Sequence, residues 1–341
     1  YLLLKIIHLS EYFKPILNNV SLRPSDALEM EDSGFWFNLV EYIRRGKAAS
    51  LIAAEDMPEK WKKKLCSRRT PILGVEFNKP SIMGILNVTP DSFSDGGKFY
   101  KKNLGYHRAL DLYRSGARII DIGGESTRPM SKEIKSTKEW ERINLTLYKL
   151  QKKKIPVSLD TRKSYIMKKG INLGVKLVND ISGLKFDSES IKVIKNNKVP
   201  FVIHHIKGSP LTMQNNPKYN NVLLDIYDYF EERIKFIRTN GVSHNKIIID
   251  PGIGFGKNLK HNITLISKIS LFHSLGFPIL LGISRKKFIK DISRKNDSEE
   301  RIGGTIGSSL FAVMQGVQIL RVHNVNEVIQ GIKIFKKLLK N

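Results

Sequence analysis

The sequence predicts an α/β chain folded as a closed (β/α)8 TIM barrel, preceded by a short, mostly helical N-terminal extension. From Ser81 onward, short apolar runs alternate with helical stretches, which implies a parallel sheet covered on both faces. About eight such units fall in the roughly 260 residues that remain, which suits a closed barrel better than an open sheet. Each run also ends in polar residues: Asn87, Asp121, Asp160, Asn179 with Asp180, His204 with His205, Asp250, Ser284, and Arg321 with His323. In a barrel those strand ends converge on one mouth, where active sites are built. Any one of them alone reads as a cap or turn former; the whole series does not.

Residues 1–75 are expected to form the extension and connector, and residues 76–341 the barrel. Within the extension, Phe37, Val40 and Ile43 recur at helical spacing ahead of a dibasic end, which predicts an amphipathic packing helix over 34–45. The charged stretch 59–69 reads as a helical connector, and 72–78 as one arm of a hairpin with the segment after Lys79-Pro80. No chemistry is legible in this leader. The barrel then begins with the apolar strand 81–86, followed by a helix over 103–115 that Gly116 ends. Strands follow at 118–122, 156–160, 176–180, 199–204, 246–250, 278–284 and 316–323, and helices at 136–154, 163–169, 187–197, 221–240, 261–274, 299–315 and 325–339.

A hydrophobic share of 41% suffices for a sizeable core. The net charge of +26 raises the question of a nucleic-acid partner, whose electrostatic footprint is a clustered basic face. Lysines are instead spread over most helices, and the runs at Lys62-Lys63-Lys64, Lys152-Lys153-Lys154 and Lys336-Lys337 lie far apart without interleaved aromatics. No nucleic-acid partner is therefore expected, only a general attraction for anionic substrates. No apolar run approaches the roughly 18–20 residues of a membrane span, and the first seven residues lack a basic n-region and cleavage site, so neither membrane association nor a signal peptide is expected. The missing initial methionine suggests a sequence that starts inside a longer one. The lone Cys66 suits a reducing compartment, and a cytoplasmic location is expected.

The chemistry concentrates at the strand ends. Asp160, Asn179 and Asp250 are placed to point inward around a small mouth, where acceptors can read the N–H edge of a flat, nitrogen-rich ring and a carboxylate can stabilise cationic character on it. Lys286 adds a donor on a long stem. Arg321 and His323 share one strand face, a guanidinium and imidazole suited to clamp phosphate, with Asn87 on the neighbouring strand. The segment from Asp250 to Lys257 has neither dinucleotide nor Walker spacing, so its glycines read as allowing close approach to a flat ligand, with Phe255 as a stacking face. His204 and His205 are adjacent on a strand, point to opposite faces and do not suggest a zinc site. The polar loop 87–97 suits both a turn and a site, and Gly96-Gly97 gives it freedom to move.

These segments carry a resemblance. Asn87-Val-Thr-Pro-Asp-Ser-Phe-Ser-Asp-Gly-Gly, Asp121-Ile-Gly-Gly-Glu-Ser-Thr-Arg-Pro, Ser158-Leu-Asp-Thr161, Asn179-Asp-Ile-Ser-Gly183, Gly208-Ser-Pro-Leu-Thr-Met-Gln214, Asp250-Pro-Gly-Ile-Gly-Phe-Gly-Lys257, Gly282-Ile-Ser-Arg-Lys286 and Arg321-Val-His323 resemble, in order, the signature segments of the dihydropteroate synthase family over roughly residues 80–330. The leader is similar to an extension of some alphaproteobacterial members. The resemblance implies condensation of 6-hydroxymethyl-7,8-dihydropterin pyrophosphate with 4-aminobenzoate to dihydropteroate and pyrophosphate. It assigns the pterin to Asp160, Asn179, Asp250 and Lys286, and the pyrophosphate with Mg2+ to Asn87, Arg321 and His323, Asn87 being the metal residue. The aminobenzoate falls to Phe93, Thr127, Arg128, Pro129, Phe255 and Ser284, and a homodimer through the late helices is implied. Three departures stand out: His204 where the family usually has Met, Met130 where it has Gly, and Asn324 where Asp is common. The rival readings are a methyltetrahydrofolate-binding barrel, which should lack the first loop and the Arg-Val-His clamp, and a non-catalytic pterin-binding protein.

Overall fold

The computed structural model describes residues 11–19, 22–31, 33–89 and 101–339, without the side chains of 101 and 102. The extension is built mainly from strands, which corrects the helical expectation. β1 (Glu11–Pro15) pairs antiparallel with β4 (Leu39–Arg44), which pairs with β5 (Ser50–Ala53). β2 (Leu28–Met30) and β3 (Phe35–Phe37) form a two-stranded ribbon, and α1 (Glu59–Cys66) is the expected connector helix. The spacing of Phe37, Val40 and Ile43 looked helical because the chain breaks step at Asn38, between β3 and β4, and because β4 buries side chains on both faces. Its strand partner decides the matter: Tyr42 stacks on Phe13 of β1 at 5.2 Å, a pairing invisible to local periodicity.

Residues 72–78 do not pair with the segment after Pro80. Ile72 and Val75 close a tight bridge on themselves, and with Phe77 they pack against Met83, Ile119, Leu177, Val202, Ile248, Leu280 and Ile319. Those seven are inward residues of seven barrel strands, so the connector plugs the barrel floor.

The barrel follows the expected rhythm: β6 (Ser81–Asn87), α2 (Lys101–Arg114), β7 (Ile119–Gly123), α3 (Ser136–Lys152), β8 (Val157–Asp160), α4 (Ser164–Asn172), β9 (Leu177–Asp180), α5 (Ser190–Asn197), β10 (Phe201–His204), α6 (Val222–Thr239) and β11 (Ile247–Asp250). Then come α7 (Leu259–Ser267), a 3-10 segment (Ile269–Leu275), β12 (Leu280–Leu281), α8 (Lys287–Ser293), α9 (Ile302–Met314), β13 (Ile319–Val322) and α10 (Val325–Leu338). The eight strands pair in parallel in the order β11-β10-β9-β8-β7-β6-β13-β12, and a parallel bridge between Ile249 and Ile279 closes the ring. β12 keeps only two residues of the expected 278–284 strand, the 261–274 helix changes to 3-10 winding after Ser267, and α8 lies where no helix was expected.

The extension is fastened to the outside of this ring. Arg45 pairs with Asp225 at 2.9 Å and Asp228 at 2.7 Å on α6, and the Tyr12 hydroxyl donates to Asp228 at 2.8 Å. Glu31, fully buried, meets the Arg69 guanidinium at 2.7 Å and accepts from Gln318 at 2.9 Å. Burial pushes the Glu31 carboxyl up to about 7 against the pull of Arg69 and Gln318. Removing the floor plug should weaken the fold: Phe77→Ala is expected to lower the unfolding free energy by about 3 kcal/mol, read as a shifted denaturant midpoint at unchanged m-value.

Candidate active site

Strand register sorts the barrel's interior into layers. Above the apolar floor, the inward positions are Asp121 on β7, Ser158 and Asp160 on β8, Asn179 on β9, His204 on β10, Asp250 on β11 and Arg321 on β13. Arg321 joins two of the acids: its Nε donates to Asp121 Oδ2 at 2.6 Å and its Nη2 to Asp160 Oδ2 at 2.7 Å. Asn179 Nδ2 donates to the same Asp121 oxygen at 3.0 Å. Burial holds Asp160 above the usual carboxylate range despite Arg321, helped by the nearby charges of Asp121, Glu139 and Asp180. Burial by itself would lower the Arg321 pKa, but Asp121 and Asp160 raise it, so this guanidinium stays charged. Asp121 is a site residue that sequence reasoning left as a strand end. Its signal was the alternation Ile119, Asp121, Gly123, which points it inward beside Asp160.

After this linkage, Asp121 Oδ1, Asp160 Oδ1, Asn179 Oδ1 and Ser158 Oγ remain buried without a hydrogen-bond partner. Cores rarely carry such groups idle, and here four of them sit in one interior. They form an acceptor-rich wall for a ligand that brings donors.

The opposite wall carries a cation. Lys286, the N-cap of α8, donates from Nζ to the Ile253 carbonyl and lies over the Phe255 ring at 4.7 Å. Burial lowers its pKa to about 8, against the pull of Asp250 and with a further push from Arg321. Burial raises Asp250, while Lys286 and the Gly252 N–H, which donates at 2.8 Å, oppose the shift. Gly252 has φ +72°, and a Cβ there would lie 2.0 Å from the His205 carbonyl, so the loop can press on β10 only with glycine at this position.

The clamp expected from Arg321 and His323 is divided. Arg321 reaches down to the acids, whereas His323 Nδ1 lies 3.0 Å from Ser284 Oγ, which also accepts the His323 N–H at 3.2 Å. Burial, then the charges of Arg285 and Arg321, push His323 down to about 3, so its imidazole is neutral. Asn324 accepts from Arg285 Nε at 2.9 Å, a support that the amide provides without a charge. Asn87 ends β6 at the mouth, half-buried. Phe93 and the rest of 90–100 lie outside the described residues.

Thr127, Arg128 and Pro129 lie on the β7–α3 loop, whose base is anchored by a buried network that the sequence did not announce. Lys163 Nζ meets Glu125 Oε1 and Glu139 Oε2, both at 2.9 Å, and the Ile134 carbonyl at 2.6 Å. Arg162 adds a 3.1 Å bond to Glu125, and Thr161 donates to Glu139 at 2.6 Å. Burial alone would raise Glu125, but the Ile134 N–H, Lys163 and Arg162 hold it below the usual range. Farther out, Met130 has φ +66° and donates its N–H to the Pro210 carbonyl at 3.0 Å, a left-handed conformation that disfavours a side chain by roughly 1–2 kcal/mol relative to glycine.

The adjacent histidines separate as strand alternation requires. His205 faces outward, with Nδ1 3.0 Å from Lys257 Nζ. Among the described residues, no group of three or more His, Cys, Asp or Glu side chains is placed to hold a metal.

Residues 83–323 match the model of the pterin-binding enzyme family. The chain belongs to that family. It is 41% identical over 254 residues to the dihydropteroate synthase of Synechocystis sp., covering 74% of this chain and 88% of that one. To the Escherichia coli K12 dihydropteroate synthase it is 36% identical over 266 residues, covering 78% and 94%. It is also similar to the structure of Xanthomonas albilineans dihydropteroate synthase with 4-aminobenzoic acid, with a TM-score of 0.73 at 31% identity over 78% of this chain and 96% of that one. These family members match the barrel that places the acceptor wall and Lys286 in one mouth.

Lys163→Met should leave Glu125 and Glu139 buried without their shared cation. A loss of about 3–5 kcal/mol in unfolding free energy is expected from denaturant titration, with Glu139→Gln in the same background recovering part of it.

Proposed function

We infer that this chain is a transferase of folate synthesis that condenses 6-hydroxymethyl-7,8-dihydropterin pyrophosphate with 4-aminobenzoate, giving 7,8-dihydropteroate and pyrophosphate. The observation that carries the reading is the row of unpartnered buried acceptors on Asp121, Asp160 and Asn179 facing a mouth whose other side holds Asp250 and Lys286. A pterin is flat and presents several N–H donors on one edge with a carbonyl and ring nitrogens beside them. Asp160, Asn179 and Asp250 take the donors, Lys286 serves an acceptor, and Phe255 offers its face to the ring.

In the reaction the carbon–oxygen bond to pyrophosphate breaks, with the electron pair leaving on oxygen. The remaining pterin-methyl centre carries cationic character, which Asp160 stabilises. The arylamine nitrogen then forms the new carbon–nitrogen bond and loses a proton to solvent. Arg321 serves both halves: it fixes Asp121 and Asp160 and brings positive charge towards the departing anion. His323, held by Ser284, and Asn87 complete the anion side, and Thr127, Arg128, Pro129, Phe93 and Ser284 are assigned to aminobenzoate.

Mg2+ fits this site as a partial-shell ion. Mg2+ is commonly held by few protein oxygens with substrate phosphates and water, so the Asn87 amide oxygen is an adequate protein donor where no acidic cage exists among the described residues. When bound, the ion would neutralise charge on the leaving pyrophosphate. Exposed Phe311 and Met314 on α9, with Ile334 and Leu338 on α10, support a homodimer through the late helices. Among the described residues no helix is long and apolar enough to cross a membrane, and the single Cys66 is a free thiol, which supports a cytoplasmic setting.

Purified protein with both substrates and Mg2+ should produce dihydropteroate; none above background would sink the reading. Asp160→Asn and Lys286→Ala should each weaken dihydropterin binding at least tenfold, the loss of one charge-assisted hydrogen bond. Arg321→Met should weaken both dihydropterin and pyrophosphate, because it also frees Asp121 and Asp160. Because the Lys286 ammonium loses its proton near pH 8, dihydropterin affinity should fall as pH rises through that value, and calorimetric titrations of Lys286→Gln should show this alkaline loss abolished.

A further inference from the structure

One ring nitrogen in the mouth has no part in the assignments above. His204 ends β10, pairs in register with Asp250, and shares with Val202 the alternation that points into the barrel. Its side chain is 4% exposed. The ring stands edge-on to Phe255, with centroids 4.5 Å apart and planes at 82°. Nε2 lies 3.8 Å from Asp250 Oδ2, beyond hydrogen-bond length, and Nδ1 is buried without a hydrogen-bond partner. Burial, then the charges of Lys286, Lys257 and Arg321, push the His204 pKa well below the usual imidazole range, against a smaller pull from the Ile181 backbone. The imidazole is therefore neutral, with one N–H and one lone pair.

The carboxylate beside Nε2 favours the tautomer with the proton on that nitrogen, because an N–H dipole facing Asp250 is attractive and a lone pair facing it is repulsive. Nδ1 is then an acceptor. It belongs to the same group of unspent acceptors as Asp121 Oδ1, Asp160 Oδ1 and Asn179 Oδ1, but stands on the Asp250 side of the mouth. A residue kept only to fill this position would serve better without a polar atom, since an unpaired buried nitrogen destabilises the fold.

We propose that His204 is a ligand-reading residue of the pterin pocket, its Nδ1 accepting a hydrogen bond from a ring N–H or exocyclic amine of the bound pterin and so setting which ring substitution patterns the pocket takes. This rests on the mouth being the pterin site. His204 acts beside Asp250, Lys286 and Phe255. It adds specificity by the asymmetric rule that a hydrogen-bonding site rejects an analogue lacking the matching donor.

The test is calorimetric titration of the full chain with 6-hydroxymethyl-7,8-dihydropterin and with dihydropterins methylated in turn at each ring N–H and at the exocyclic amine. The proteins are the wild type, His204→Met, which keeps the volume without the acceptor, and His204→Asn, which restores an acceptor. His204→Met should bind the parent pterin about fivefold to tenfold more weakly, the loss of one hydrogen bond. One methylation that weakens wild-type binding should have a smaller effect in His204→Met, His204→Asn should restore the discrimination, and the KM for 4-aminobenzoate should stay within about twofold. Equal or tighter parent binding by His204→Met with an unchanged methylation profile overturns the proposal. If His204→Met does not fold, the profile of His204→Asn decides: loss of discrimination at every position overturns it. Wild-type protein that binds no pterin at all overturns the reading of the mouth instead, a result distinguishable from either of these.

Discussion

A single half-buried guanidinium holds the working end of this barrel together. Arg321 spans from β13 to β7 and β8 and bonds one oxygen of Asp121 and one of Asp160, and each acid keeps its second oxygen unpartnered. Without that cation, two carboxylates on neighbouring strands would face each other in an interior with little water, their like charges repelling. With it, both are oriented and each retains an acceptor for a ligand. The pairing has the weakness of buried ion pairs: it adds little net stability, and breaking it strands the remaining charges. Its worth lies in geometry, because it fixes the acceptors before a ligand arrives.

The apolar floor and the polar mouth depend on each other through strand alternation. Val202 and His204, Leu177 and Asn179, Ile248 and Asp250, Ile319 and Arg321 are pairs two residues apart, one in the sealed layer and one in the site. A one-residue slip in any strand would exchange floor for mouth. The plug of Ile72, Val75 and Phe77 thus does more than add core: by filling the floor it helps fix the register that places the acids. The same connector carries Arg69, whose buried bond to Glu31 ties the strand-built extension to the base of the barrel.

The mouth is also divided electrostatically. Asp121, Asp160 and Asn179 line β7 to β9, while Lys286, Arg321 and the histidines lie towards β10 to β13 with one acid, Asp250 on β11, among them. Both histidines at the strand ends are neutral, because burial and neighbouring cations remove their protons. Positive charge in the mouth therefore comes from Lys286 and Arg321, which is why the pH response is assigned to Lys286 and not to an imidazole.

Much of this was legible in the residues. The alternation of apolar runs with helical stretches, and the polar residue at each strand's end, determined the barrel and placed Asp160, Asn179, Asp250, Lys286 and Arg321 at its mouth, because those signals are local and periodic. Where the signal was not local, the reading failed. Residues 34–45 have a spacing that fits a helix, yet 35–37 become a strand against β2 and 39–44 a strand against β1, whose partners lie 25 to 33 residues away in sequence (Pro15 with Val40, Glu11 with Arg44), and 72–78 turns into the barrel floor because an open barrel end needs filling. The tertiary structure alone decided that Arg321 spends its donors on Asp121 and Asp160, that Lys163 joins Glu125 to Glu139, and that His204 turns into the barrel with its Nδ1 unpartnered. Which side chain finishes against which depends on distances across the ring, and a linear sequence records only the order in which the strands arrive there.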